Sequence, residues 1–319
     1  MHLPLSGMIH ITKDQVTAAL NYPALIDALH AIFQSSYTMP VRHHHFYQTE
    51  EGVENTLILM PVWNDRYLGV KQVVVAPANG GKALPAIHAS YMLMDAGTGV
   101  PLAQLDAAAL TARRTACTSA LAASFLARAD AESLLVVGGG KVAQHLVQAH
   151  AVVRAYQRMA VWARNPEQSR ALADHLAGQG YRVEIAYDLE EAVREADVIS
   201  CATLSPLPLI KGAWLKPGTH LDLIGSHTPK TREADDQAIQ RSRVFVDSRE
   251  GALHETGELA IPIARGVLAP GDVRADIAEL CKGIHPGRTL PEEITLFKSA
   301  GLAVEDLAAA LLVYQSVKG

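Results

Sequence analysis

The stretch "LLVVGGGKVAQHL" (Leu134 to Leu146) constrains the fold more than any other part of the chain. A short apolar run ends in Gly138-x-Gly140-x-x-Ala143 and passes into a helix-forming segment. Glycine at the first position permits a tight strand-to-helix turn, glycine at the second lets the backbone approach a pyrophosphate, and a small third residue lets helix and strand pack closely. The helix start, around Val142, adds free N–H donors and the positive end of the helix dipole. A plain βα turn would carry the same motif, so the surroundings decide between the two readings. Here they repeat the pattern. "RMAVWA", "YRVEIAY", "DVISCAT", "HLDLIG" and "RVFVDS" are short apolar runs separated by helical or loop segments, and Asn165-Pro166 and Asp188 with Glu191 are helix starts. Repeated β-α-β units predict an α/β fold with a doubly wound, Rossmann-type parallel sheet that binds a dinucleotide.

At the end of the second strand of such a site an acidic residue usually receives the ribose hydroxyls. This chain has "VWARNPEQ" there, with Arg164 followed by Asn165. An arginine at that place accommodates a 2′-phosphate, so NADP(H) is favoured over NAD(H), with a solvated arginine as the alternative.

Before Ser133 the pattern differs. "TKDQVTAAL" opens with Thr12 and Gln15 spaced as a capping box, and "NYPALIDALHAIFQSSY" continues helically. "NTLILMPVW", "YLGVKQVVVAP" and "ASYMLMDAGTGVPLAQLD" then read as strands, the last turning at Asp95–Gly99. A mostly antiparallel sheet follows, and "LTARRTACTSALAASFLARA" returns to helical spacing. With 319 residues the chain exceeds what one core usually needs, so two domains, or one with a large insertion, are expected.

Three basic residues interrupt segments that otherwise look buried. Leu110, Arg114, Cys117, Leu121 and Phe125 form one helical stripe, so Arg114 faces inward while Arg113 turns about 100° away. Lys71 shares a strand face with Val73 and Val75, which calls for an acidic side chain or a substrate carboxylate beside it. Arg42 in "MPVRHHHF" is the third. Such a trio suits the carboxylate of an amino or keto acid, with structural salt bridges as the alternative. His43 and His45 would share a strand face, but nothing nearby completes a metal-ligand set, so no metal is expected.

A net charge of −5 without a basic block argues against nucleic acid as a partner. No window reaches the roughly 18 apolar residues of a membrane span, and "MHLPLSGMIHIT" lacks a signal peptide's basic start, so a cytoplasmic protein without a membrane partner is expected. Cys117, Cys201 and Cys281 are too scattered for a zinc site or a disulfide framework.

Together "LMPVW", "GVKQVVVAPAN", "DAGTGVPLA", "TARRTACTSALAA", "VVGGGKVAQ", "IGSHTPKTREAD", "VFVDSREGALHETGEL" and "EEITLFKSAGLAVEDLAAA" make the chain resemble the ornithine cyclodeaminase and mu-crystallin family. The resemblance implies a Rossmann domain over 119–303 and an α+β substrate-binding, dimerising domain over 1–118, to which the helix at 304–319 returns. It implies that Arg42, Lys71 and Arg114 meet the substrate carboxylate. Gly138, Gly140, Val142, Ala143, Arg164, Asn165, Thr203, Gly225, Ser226 and Ser299, with Arg114, are the positions expected at the cofactor. His227 stands where the cyclodeaminases carry an aspartate, and Ile58 stands near a place where they carry an acid. A histidine is a poor permanent counter-ion for a substrate amine but a competent proton carrier. The expected activity is therefore reduction of an imine of a 2-keto acid, cyclic or open, or the reverse oxidation of an amino acid. Lys71 or His227 would handle the proton. Ornithine cyclodeamination with NAD, and non-catalytic binding of NADPH and a small ligand, are the alternatives; for His227 the other reading is a loop histidine touching cofactor or solvent.

Overall fold

A computed structural model of the chain describes residues 7–82 and 84–318. Residues 1–6, part of the stretch read against a signal peptide, lie outside the described residues. The chain forms two compact units, Met1–Arg114 with Ala303–Gly319, and Thr115–Leu302. The first boundary, expected after residue 118, falls four residues earlier, inside a continuous helix.

The first unit begins with β1 (Ile9–Ile11), α1 (Lys13–Ala19) and α2 (Tyr22–Gln34). Thr12 and Gln15 do form a capping box, and Asn21 caps α2, so the helical run breaks in two at Leu20–Asn21. Then come β2 (His43–Gln48), β3 (Glu54–Trp63), β4 (Tyr67–Val75), β5 (Ile87–Asp95) and β6 (Pro101–Asp106). The six strands lie in the order β1-β6-β5-β4-β3-β2, antiparallel throughout except for the β1–β6 pair. α3 (Ala107–Leu126) follows.

The second unit alternates strand and helix: β7 (Ser133–Val137), α4 (Ala143–Val153), β8 (Arg158–Trp162), α5 (Pro166–Ala177), β9 (Glu184–Ile185), α6 (Leu189–Glu195), β10 (Val198–Cys201) and β11 (His220–Leu223). It continues with α7 (Asp236–Arg241), β12 (Ser242–Val246), α8 (Arg249–Glu255), α9 (Gly257–Ala264), α10 (Ile277–Cys281) and β13 (Ile294–Lys298). All seven strands are parallel, in the order β12-β13-β11-β10-β7-β8-β9. This is the doubly wound sheet expected, with two differences. "YRVEIAY" contributes only the two residues of β9, at the sheet edge, and β13, whose "ITLFK" was not read as a strand, inserts between β11 and β12. All five β13 residues are buried, as a short central strand of a parallel sheet must be.

The last helix, α11 (Ala303–Lys318), belongs to the first unit and packs on α2, β3 and β4. Its residues 303–310 are buried on every side. Among the described residues no single helix is long and apolar enough to cross a membrane.

Gly69 shows how tightly the antiparallel sheet closes over its own side chains. A Cβ there would stand 1.8 Å from the Tyr91 hydroxyl and 2.6 Å from its Cζ, and Tyr91 is fully buried opposite Lys71. We predict that Gly69→Ala destabilises the protein by about 1–3 kcal/mol in denaturant melts, as overpacking does. Adding Tyr91→Phe should recover only part of the loss, because the ring carbon still collides; full recovery would show that the hydroxyl alone carries the clash.

Candidate active site

Within the first unit, burial and charge converge on Lys71. Its side chain projects from the middle of β4, opposite Met60 on β3 and Tyr91 on β5, and is 3% exposed. The partner that its burial demanded is Asp306, at 2.7 Å from Nζ. Arg114, buried as its helical stripe predicted, donates from Nε to Asp306 Oδ1 at 2.9 Å and from Nη1 to Glu305 Oε2 at 2.5 Å. Neighbouring Arg113 turns away and donates to the carbonyls of Thr17 and Leu20, closing the C-terminal end of α1.

Burial pushes the Lys71 ammonium down from its usual value, to about 8; Asp306 opposes the shift, and the Arg114 and Arg42 guanidinium groups add to it. A lysine in this range exchanges its proton near neutral pH, which a solvated lysine does not. Arg42 lies part-buried just before β2, close enough for its charge to act on Lys71.

Glu305 and Asp306 were not singled out from the sequence. The signal was present: two adjacent acids inside the apolar run "AVEDLAAALLVY" cannot be buried without cations.

Within the second unit, the glycine-rich turn opens onto a cavity of about 390 Å³. Gly138 has φ +134°, and a Cβ on it would lie 2.6 Å from the Ala202 carbonyl, so both conformation and space require glycine. Gly140 is different: a Cβ there would meet no protein atom within 4 Å. What that glycine keeps clear is room for a ligand, beside a helix start where Val142 makes no side-chain cap hydrogen bond. Ala143 is fully buried at the first turn of α4. Arg164, Asn165 and Thr203 line the same cavity, although Asn165 Oδ1 also accepts the Glu167 N–H as the cap of α5. These residues fit a dinucleotide, with the open glycine turn at a helix start suited to a pyrophosphate.

The remaining candidates are placed otherwise. Gly225 lies against the backbone of Thr203, where a Cβ would stand 2.0 Å from the Thr203 carbonyl oxygen. The hydroxyls of Ser226 and Ser299, expected at the cofactor, are turned into the protein: Ser226 donates to the Thr231 carbonyl and Ser299 to Asp247 Oδ2. His227 is exposed, with Nδ1 at 3.2 Å from the Gly225 carbonyl. His43 and His45 share a face at a ring separation of 6.2 Å, and among the described residues no group of histidine, cysteine or acidic side chains could hold a metal.

The model of the ornithine cyclodeaminase/mu-crystallin family matches residues 8–319. The chain belongs to that family. It is 36% identical to a Δ1-pyrroline-2-carboxylate reductase of Colwellia psychrerythraea, over 96% of this chain and 98% of the relative. It is 34% identical to the ketimine reductase mu-crystallin of Rattus norvegicus, over 81% and 79%. Among solved structures, Thermococcus litoralis Δ1-pyrroline-2-carboxylate reductase in complex with NADH and L-proline superposes with a TM-score of 0.90 at 30% identity, covering 98% of each chain. NADH, the cofactor in that complex, is a dinucleotide, the class of ligand that the glycine turn of this chain fits.

The contrast between the two glycines is testable. Gly140→Ala should melt within a degree or two of wild type, yet raise the Kd for the cofactor by about tenfold or more, since the new methyl occupies only ligand space. Gly138→Ala should instead lose stability. Unchanged cofactor affinity in Gly140→Ala would remove the pyrophosphate from this turn.

Proposed function

We propose that the chain reduces the C=N bond of imines derived from 2-keto acids, such as 1-pyrroline-2-carboxylate or its six-membered homologue, and runs the reverse oxidation of the cyclic amino acid. The observation that carries this reading is buried Lys71, 2.7 Å from the Asp306 carboxylate that also holds the Arg114 guanidinium at 2.9 Å. The reduced nicotinamide, when bound, supplies a hydride to the imine carbon. The chain's own residues must then hold the carboxylate and deliver a proton to nitrogen. Arg42 and Arg114 offer guanidinium groups to the carboxylate. Lys71 gives its Nζ proton to the substrate nitrogen, and Asp306 stabilises the ammonium before transfer. His227, a loop side chain open to solvent, is second to Lys71 for this role.

Ornithine is the weaker substrate, because its second amine needs a permanent negative partner. Ile58 is apolar, paired with His44 and Val73, and His227 is not an acid. Catalysis is favoured over ligand binding alone because buried Lys71 offers a proton beside guanidinium groups suited to a carboxylate.

For the cofactor, Arg164 on the cavity wall at the end of β8, with no acid among residues 162–165, supports NADP(H) ahead of NAD(H). Homodimeric assembly is part of the same proposal, with β2, exposed along its whole length at the sheet edge, open to a second copy.

Two measurements test the reading. With 1-pyrroline-2-carboxylate and NADPH, kcat/KM should be level at low pH and fall as pH rises through about 8, because reduction needs Lys71 protonated. Oxidation of the amino acid should rise through the same pH. Lys71→Ala should lose about 100-fold or more in kcat/KM and flatten both profiles; retention of either limb would give the proton to another group. Arg164→Ala should raise KM for NADPH by about tenfold while leaving that for NADH within about twofold, as removal of one charge-assisted phosphate contact would. Equal losses with both cofactors would place Arg164 away from a 2′-phosphate.

A further inference from the structure

One wall of the cofactor cavity, adjoining the glycine turn, is made by the segment after β10, which includes Thr203, Leu204, Ser205 and Leu209. Local features shape that segment: Pro206 and Pro208 fix φ, and Ser205 donates from its backbone N to Thr203 Oγ1 at 3.4 Å and from its hydroxyl to the Leu207 carbonyl at 2.7 Å. A residue outside the cavity lining ties it to the rest of the unit. Glu233 is fully buried, and its carboxyl group accepts three hydrogen bonds: from Thr203 N at 2.7 Å, Thr203 Oγ1 at 2.8 Å and Gly225 N at 2.7 Å. Its backbone carbonyl accepts from Leu209 N at 2.8 Å and Ile210 N at 2.9 Å. Its own N–H is held by Glu258 Oε2 at 2.7 Å, and Glu258 Oε1 takes the next amide, from Ala234, at 2.9 Å. Every polar atom of Glu233 thus ties down either the cavity wall, the Gly225 loop, or the strut that supports them.

We propose that Glu233 is a positioning residue for cofactor binding, its carboxyl group joining the Thr203 segment to the Gly225 loop so that the cavity is formed before the cofactor arrives. The inference rests on the assignment of that cavity to the nicotinamide cofactor. Glu233 itself is not among the residues that line the cavity. Glutamate is required by hydrogen-bond chemistry rather than by charge. Two oxygens face two backbone N–H groups that lie in different loops, and the Thr203 hydroxyl can donate to a carboxylate or accept from a carboxylic acid. Both amides are therefore satisfied in either protonation state. A glutamine cannot do this: its NH2 group must face one of the two amides, donor against donor, whichever way it is turned. Gly225 belongs to the same arrangement, since the two loops approach too closely for any Cβ.

The test is the reduced-cofactor Kd of Glu233→Gln, and of Glu233→Asp, whose shorter arm cannot span both loops. NADPH and NADH would each be titrated by nicotinamide fluorescence, with kcat and KM measured alongside on 1-pyrroline-2-carboxylate. The expected result is a rise in cofactor Kd and KM of about tenfold, the loss of one buried hydrogen bond, with kcat at saturating cofactor within about threefold of wild type. A residue that only stabilises the fold would lower the melting temperature or the active fraction and leave the Kd of the folded protein unchanged. If Glu233→Gln does not fold, Glu233→Asp carries the same test. A cofactor Kd within about twofold of wild type overturns the inference while leaving the cavity assignment intact; a wild-type protein that binds neither NADPH nor NADH overturns both.

Discussion

The Asp306 carboxylate, buried completely and shared between Lys71 Nζ at 2.7 Å and Arg114 Nε at 2.9 Å, draws three distant parts of the chain into one place. It fixes the start of α11 against β4 and α3, and so explains why the C-terminal residues return to the first unit. Removing one partner from such a group leaves a buried charge uncompensated, at a cost of about 3–5 kcal/mol, whereas replacing the whole group by apolar side chains is often neutral. Stability alone therefore gives no reason to keep these charges. The proposed chemistry does: in that reading a keto-acid carboxylate needs fixed guanidinium groups, and the proton carrier needs an amine that is partly, but not wholly, deprived of its solvent. Asp306 limits the depression that burial would otherwise impose on Lys71, which leaves it at about 8 rather than lower.

The pairing also determines how the charges are divided. Arg114 contacts two carboxylates and Lys71 one. Burial opposes the Arg114 charge, but Asp306 and Glu305 outweigh it and hold the guanidinium protonated. The same surroundings thus yield one cation that never changes state and one that does. That division follows from the pairing acting on two groups of different intrinsic basicity, a delocalised guanidinium and a compact ammonium, and not from any difference in depth.

Periodicity was enough to find the inward face of α3 and to separate Arg114 from Arg113, because a 20-residue helix carries many turns of signal. It was also enough for Lys71, a single charge in an apolar strand. It failed for Glu305 and Asp306, since α11 is buried around its whole first half and so shows no polar face against which a misplaced acid would stand out. β13 escaped for a related reason. Five buried residues ending in Lys298 alternate with nothing, and the lysine looks like a surface residue until its Nζ is seen to hold the Ser226 carbonyl at 2.8 Å. Ser226 and Ser299 show a different limit: a resemblance to a family carries a position over, but does not say which way its hydroxyl turns in this chain.

The cofactor cavity divides along the same line. Its glycine-turn wall is a local structure, in which each requirement is met by a residue type at a fixed spacing: a positive φ at Gly138, open space at Gly140, a small side chain at Ala143. Such a wall can be read from thirteen letters. The adjoining wall depends on Glu233 reaching back thirty residues to Thr203 and on Glu258 reaching back twenty-five to Glu233, all three linked by hydrogen bonds that exist only after the sheet has assembled. Glutamates are ordinary in composition, and neither spacing matches a helix or strand period. Buried polar networks of this kind have few alternatives once complete, because an unmade bond inside the protein costs more than the same bond in water. The wall formed after β10 is therefore held in part by the contacts least tolerant of substitution, hydrogen bonds whose two ends lie far apart in the sequence.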